Sequence, residues 1–191
     1  GVGADVMSGG MGDDTYIVDN SKDKVVEASN QGVDTIITTL NEYSLAKMPN
    51  IENLTFDGSG NANLTGNKQN NIIVASGGDD YLEGKEGKDS LTGGAGADDL
   101  QGEAGNDTFK ATSATDGADI IDGGIDSDTL DYSALGSSNK ITVTLGNEGT
   151  SASVFVTSGD TDSVVNIENI IGTQGNDTIT GNSSANTLSN D

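Results

Sequence analysis

Residues 84–110 read GKEGKDSLT-GGAGADDLQ-GEAGNDTFK, three nine-residue units laid end to end. Glycine holds positions one and four of each unit. Aspartate holds position six (Asp89, Asp98, Asp107), and a large apolar residue holds position eight (Leu91, Leu100, Phe109). Upstream the frame takes in 75–83, with Gly78, Asp80 and Leu82. Downstream, after three extra residues, 114–122 carries Gly117, Asp119 and Ile121. Residues 123–131 follow with Asp128 and Leu130, and Asp126 replaces the glycine at position four. Near the start, 9–17 carries Gly12, Asp14 and Tyr16, behind a partial unit with Gly3, Asp5 and Met7. Near the end, 172–180 carries Gly175, Asp177 and Ile179.

Between these blocks the apolar beat continues. Met7, Tyr16 and Val25 share the frame, and after a slip so do Ile36, Leu45 and Leu54, then Leu64, Ile73 and Leu82. Position six stays acidic at Asp23, Asp34 and Glu52. The glycines vanish around 38–56, and 132–165 is the least regular stretch, where only the alternation Ile141, Val143, Leu145 suggests a strand. Asn50-Ile51-Glu52-Asn53-Leu54 is echoed by Asn166-Ile167-Glu168-Asn169-Ile170. Leu64-Thr65-Gly66-Asn67 is likewise echoed by Ile179-Thr180-Gly181-Asn182, so a larger unit also repeats.

A period of nine suits neither a long helix nor a coiled coil, and glycines at this density would make a helix costly. The spacing predicts a turn over positions one to six and a short strand over seven to nine. One side chain of each strand points inward, flanked by two that point out. Two units then close one coil, and stacked coils give two parallel sheets packed on the position-eight residues. Glycines at positions one, two and four are expected to take backbone conformations closed to other residues.

Composition bounds the function. Of 191 residues 31 are acidic, eight are basic (all lysine) and none is histidine, for a net charge of −23. Such a chain repels nucleic acid. It has no cysteine for thiol or disulfide chemistry and no histidine for a triad. No run approaches the ~18 apolar residues of a membrane helix. High charge with few large apolar residues would by itself suggest disorder, but the phased repeat argues for order. One apolar residue in nine is weak compensation for ordering the other eight, and stacked aspartates would repel one another. A cation between the turns resolves both problems. Calcium takes six to eight oxygens in flexible geometry from carboxylates and backbone carbonyls; magnesium demands a stricter shell. Zinc and copper favour nitrogen or sulfur.

These units resemble the RTX, or haemolysin-type calcium-binding, repeat GGxGxDxUx. The resemblance implies an all-β, calcium-bound parallel β-roll, a two-sheet solenoid, with degenerate stretches around 38–56 and 132–165. It implies several calcium ions, each held by the aspartates and backbone carbonyls of two facing turns, type I secretion from a bacterium, and folding outside the cell. Carried onto this chain, Asp80 pairs with Asp98 and Asp98 with Asp119 on one edge. Asp89 pairs with Asp107 and Asp107 with Asp128 on the other. Asp5 is expected to face Asp23, and Asp14 to face Asp34. Asn71 could offer Asp89 a neutral oxygen, whereas Ala62 leaves the site above Asp80 weak. Asp177 is a further candidate, without an obvious partner. The turn carbonyls assigned to the ions are those of Gly77, Gly78, Gly84, Gly87, Gly93, Gly94, Gly96, Gly102, Gly105, Gly117, Gly123 and Gly124. Position 75 is grouped with them as a turn of the glycine type, although the residue there is Ala75. Glu52 and Glu168 are expected to be solvated or terminal ligands. Asp160 and Asp162 lie off the frame.

The chain is expected to be one module: calcium turns over 1–37, a degenerate coil over 38–56, the main calcium block over 57–131, a degenerate β stretch over 132–171, and the start of a further block over 172–191. It begins inside a repeat and stops as another begins, as a segment of a longer array would. Its expected partners are calcium, neighbouring repeats of the parent chain and a cell-surface or matrix component. Neither nucleic acid nor a transmembrane segment is expected. The favoured role is non-catalytic, a structural and spacing module of a secreted or surface-bound bacterial protein such as an adhesin or surface-layer protein. Accessory modules of secreted proteases, lipases or epimerases share the repeat, as do pore-forming toxins. Gly93-Gly94-Ala95-Gly96 lacks the flanking strand and helix of a phosphate loop. The outward positions vary too much for a regular sugar- or ice-binding face.

Overall fold

The computed structural model describes all residues except 2, 158 and 191, and among those described there is no helix. Among the described residues no helix is therefore long and apolar enough to cross a membrane. The strands are short because each nonapeptide spends most of its residues turning. In Ser90–Thr92 the central leucine is buried and its neighbours are half-exposed, as period-two alternation requires.

Two nine-stranded sheets result. The first runs through Thr15–Val18, Thr35–Thr38, Asn53–Phe56, Ile72–Val74, Ser90–Thr92, Thr108–Lys110, Thr129–Asp131, Asn169–Ile171 and Leu188–Ser189. The second runs through Glu42–Ser44, Asn63–Thr65, Tyr81–Glu86, Asp99–Ala104, Ile120–Asp122, Thr161–Val165, Ala152–Val156, Ile141–Thr144 and Thr178–Thr180. A separate parallel pair joins Val6–Met7 to Lys24–Val25.

The position-eight residues form ladders. Ile73, Leu91, Phe109, Leu130 and Ile170 align in one sheet. Leu64, Leu82, Leu100, Ile121 and Val164 align in the other. Both ladders belong to one buried cluster. The extra residues after Lys110 are absorbed in a turn, so the register survives. Across them the edge contacts span 21 residues instead of 18.

The sequence frame errs in two places. Tyr43, not Leu45, pairs with Leu64. Leu45 is fully buried just beyond that strand. The roll is also not parallel throughout. Within 132–165 the Ile141–Thr144 strand suggested by alternation exists, but it pairs antiparallel with Ala152–Val156, which pairs antiparallel with Thr161–Val165. These two extra strands are wedged into the second sheet between Thr161–Val165 and Thr178–Thr180. Ile141, Val143, Val154 and Val156 extend the core there.

Candidate metal centre

The turns stack along the two edges of the roll, and the stacking brings the position-six residues into two files. In each file the carboxylate reaches back to the preceding coil. The Asp80 N–H donates to Asp98 Oδ1 at 2.8 Å and the Asp98 N–H to Asp119 Oδ1 at 2.9 Å. On the other edge Asp89 donates to Asp107 Oδ1, and Asp107 to Asp128 Oδ1, both at 2.8 Å. Asp5 and Asp23 meet in the same way, as do Asp14 and Asp34. The Asn71 N–H donates to Asp89, and the Ala62 N–H to Asp80.

One carboxylate oxygen is thus accounted for and the other is not. Oδ2 of Asp14, Asp80, Asp89, Asp98, Asp107 and Asp128 is buried without a hydrogen-bond partner. Orphaned buried polar atoms are rare and costly. Their surroundings are oxygen-rich. A Cβ on Gly84, Gly93, Gly102 or Gly123 would collide with the Oδ2 of its own turn's aspartate. On Gly84, Gly102 and Gly123 it would also crowd a carbonyl oxygen of the next coil, that of Gly102, Gly123 and Asn166 respectively. At these four turns position one is therefore glycine for space: none of them has a positive φ. Positive φ belongs to positions two and four, as at Gly94, Gly96 and Gly105, and Lys85, Glu103 and Asp126 are held there too.

Position 75 carries alanine, not the glycine of the repeat pattern. Ala75 opens the turn of Asp80 and is buried. Its φ is not positive, so a Cβ is tolerated by the backbone there. Its N–H donates to the Thr92 carbonyl at 2.9 Å. Its own carbonyl oxygen lies beneath Gly94 of the next coil, 3.2 Å from where a Cβ on that glycine would stand.

Burial drives the electrostatics. Desolvation pushes Asp89 and Asp128 up to about 7, Asp98 to about 6 and Asp119 to about 8. The backbone N–H each accepts pulls the other way, and neighbouring carboxylates add to the rise. Asp80 and Asp107 are raised for the same leading reason. Buried, unpartnered, oxygen-only donors fit a hard cation with the flexible shell of calcium.

Other expected ligands are differently placed. Asp23 Oδ2 accepts the N–H groups of Asp19 and Asn20. Asp177 is satisfied within the protein, by the N–H groups of Ile141 and Thr173 and the Thr173 hydroxyl. Asn71 Oδ1 accepts the Asn67 N–H at 2.7 Å. Gly77 sits at position three and forms a bridge to Ala95.

Several members of the files escaped the sequence frame. Asp162 is in register after all: it accepts the Asp119 N–H through Oδ1 and the Tyr132 hydroxyl through Oδ2. Glu52 holds position six, as the frame has it, and Glu168 proves to hold it too; they accept the N–H groups of Asp34 and Asp128. The echo of Asn-Ile-Glu-Asn was the available signal. Glu27 lies outside the frame, yet one ligand oxygen each of Asp14, Glu27 and Asp34 lie within 4.8 Å of one another. The Tyr16 hydroxyl donates to Glu27. Position five forms a second file that reaches forward: Asn61 accepts from Asp79, Asp79 from Ala97, Asn70 from Lys88 and Asn106 from Ser127.

The family profile described as RTX calcium-binding nonapeptide repeat (4 copies) matches residues 1–23, 56–91, 74–109, 113–134 and 166–191, more than half of the chain. The chain belongs to this family. RTX nonapeptide repeats bind calcium, and the files of buried aspartates coincide with the matched residues. The chain is also similar to the endo-1,3-1,4-beta-glycanase ExsH of Rhizobium meliloti (strain 1021), at 44% identity over 72 residues. That match covers 38% of this chain and 15% of the glycanase.

Proposed function

We propose that this RTX module is a calcium-triggered folding and spacing element of a secreted bacterial protein, with no catalytic turnover of its own. The supporting observation is the row of buried Oδ2 atoms that no protein group satisfies. Asp80, Asp98 and Asp119 would hold ions on one edge and Asp89, Asp107 and Asp128 on the other, with turn carbonyls completing each shell. Calcium supplies positive charge between carboxylates that otherwise repel. Without it the net charge of −23 favours an expanded chain. Calcium is scarce in cytoplasm and plentiful outside, so folding is coupled to export. An adhesin or surface-layer protein suits a rigid spacer of this kind. The glycanase match favours a second reading, an accessory module of a secreted polysaccharide-degrading enzyme.

Circular dichroism during calcium titration tests the trigger. Strand signal should appear with calcium and not with equal magnesium. A chain already fully β-rich in excess chelator refutes it.

A further inference from the structure

Two turns of the roll satisfy themselves with asparagine. In the first, Asn71 holds position six and Asn67 position two. Asn71 Oδ1 accepts the Asn67 N–H, while Asn71 Nδ2 donates to the Glu52 carbonyl at 3.1 Å and to Asn67 Oδ1 at 3.3 Å. Asn67 Nδ2 donates to the carbonyls of Met48 and Ile51 at 2.9 and 2.7 Å. Both side chains are buried. The second turn repeats the arrangement with Asn186 and Asn182. Asn186 Oδ1 accepts the Asn182 N–H at 2.9 Å, and Asn186 Nδ2 donates to the Glu168 carbonyl at 2.8 Å and to Asn182 Oδ1 at 3.0 Å. Asn182 Nδ2 donates to Gly146 and Ile167. The partners fix the amide orientation: a backbone N–H needs the oxygen, and carbonyls need the nitrogen.

The contrast with the aspartate turns lies in the backbone as well. Position two has a positive φ at Gly10, Asn30, Lys85, Gly94, Glu103 and Gly124. Those residues precede Asp14, Asp34, Asp89, Asp98, Asp107 and Asp128, which include five of the six aspartates with an orphaned Oδ2. Neither Asn67 nor Asn182 has a positive φ. Their N–H groups turn onto the position-six oxygen instead. Along this edge the file reads Asp14, Asp34, Glu52, then Asn71, Asp89, Asp107, Asp128, Glu168, then Asn186. Each run of carboxylates ends on a glutamate, and the next coil opens with an asparagine turn.

We infer that the two asparagine turns are ion-free seams. Amide nitrogens donate to the carbonyls there in place of a cation, and they divide the roll into blocks that respond to calcium separately. The inference rests on the calcium reading above and removes Asn71 from the ligands expected of that edge.

Two measurements on the full chain test it. The first counts bound calcium by native mass spectrometry for wild type, Asn71→Ala and Asp107→Ala. Asn71→Ala should keep the wild-type number of ions while moving the folding midpoint several-fold higher in calcium, and Asp107→Ala should lose ions. Loss of an ion from Asn71→Ala makes Asn71 a ligand and overturns the inference. The second needs no substitution, and so holds if that variant fails to fold. During stepwise chelation of wild type, the Asn67 and Gln69 amides, which bond to Asn71 and Asn67, should stay protected from hydrogen exchange. The Asp89 and Asp107 amides should already have opened. Simultaneous loss of all four overturns the separate blocks. A wild type that takes up no calcium refutes the trigger, and this inference with it. A wild type that takes up calcium but fails either test refutes the seams alone.

Discussion

Asp128 should respond in opposite directions to the same substitution with and without calcium. It is fully buried, its Oδ1 accepts the Asp107 N–H at 2.8 Å, and its Oδ2 has no partner. Burial raises it from 3.8 to about 7, so at pH 8 without calcium the folded chain holds a desolvated carboxylate. A rise from 3.8 to about 7 would be ~4 kcal/mol at the usual conversion; halving this for screening by nearby solvent leaves about 2 kcal/mol. Asp128→Asn removes the charge and keeps the Oδ1 acceptor. It should therefore raise the folded fraction in chelator roughly 30-fold in equilibrium terms, while weakening the calcium-bound form. Asp128→Ala removes the charge too, but it strands the Asp107 N–H at a cost of ~1–3 kcal/mol, so its gain should be small or nil. Circular dichroism and urea titration at pH 8, in chelator and in millimolar calcium, provide the comparison. If Asn is no more folded than wild type in chelator, or if Asn and Ala coincide there, carboxylate desolvation does not hold the calcium-free chain open.

The same sign applies to pH. Asp89, Asp98, Asp119 and Asp128 are raised in the folded state, so the folded form binds extra protons between about pH 4 and 8. Their contribution is present below the unfolded value and lost as pH rises through 6 to 8. The chelated chain should gain strand signal on acidification from pH 8 to 5, and a fall would contradict the burial. Gly102→Ala should abolish calcium-induced folding or cost at least ~1–3 kcal/mol, because the methyl meets the Asp107 carboxylate and the Gly123 carbonyl; Gly136→Ala, with open space around it, should be silent in the same melt. Asp162→Ala should destabilise the roll because it strands the Asp119 N–H and the Tyr132 hydroxyl, whereas exposed Asp160→Ala should not shift the melting temperature.

Much of the roll is local, and so the sequence shows it. The nine-residue period, the turn glycines and the single inward residue per strand are set by backbone geometry within one unit. The vertical pairing of Asp80 with Asp98 and of Asp89 with Asp107 follows from that period alone. Tertiary structure decided what periodicity leaves degenerate. Tyr43 and Leu45 are two residues apart on one face, so either suits the inward slot, and only alignment with Leu64 selects Tyr43. Asp162 looked off-frame because the two extra strands separate it from Asp119 along the chain, although the sheet brings them together. Glycine at position one looked like a backbone requirement; the structure shows that it makes room for a carboxylate oxygen, beside a carbonyl from the next coil on one edge. The distinction between aspartate and asparagine turns was visible as letters. Its meaning was not, because a carboxylate oxygen left bare and an amide nitrogen donated to a carbonyl differ only once two coils are stacked.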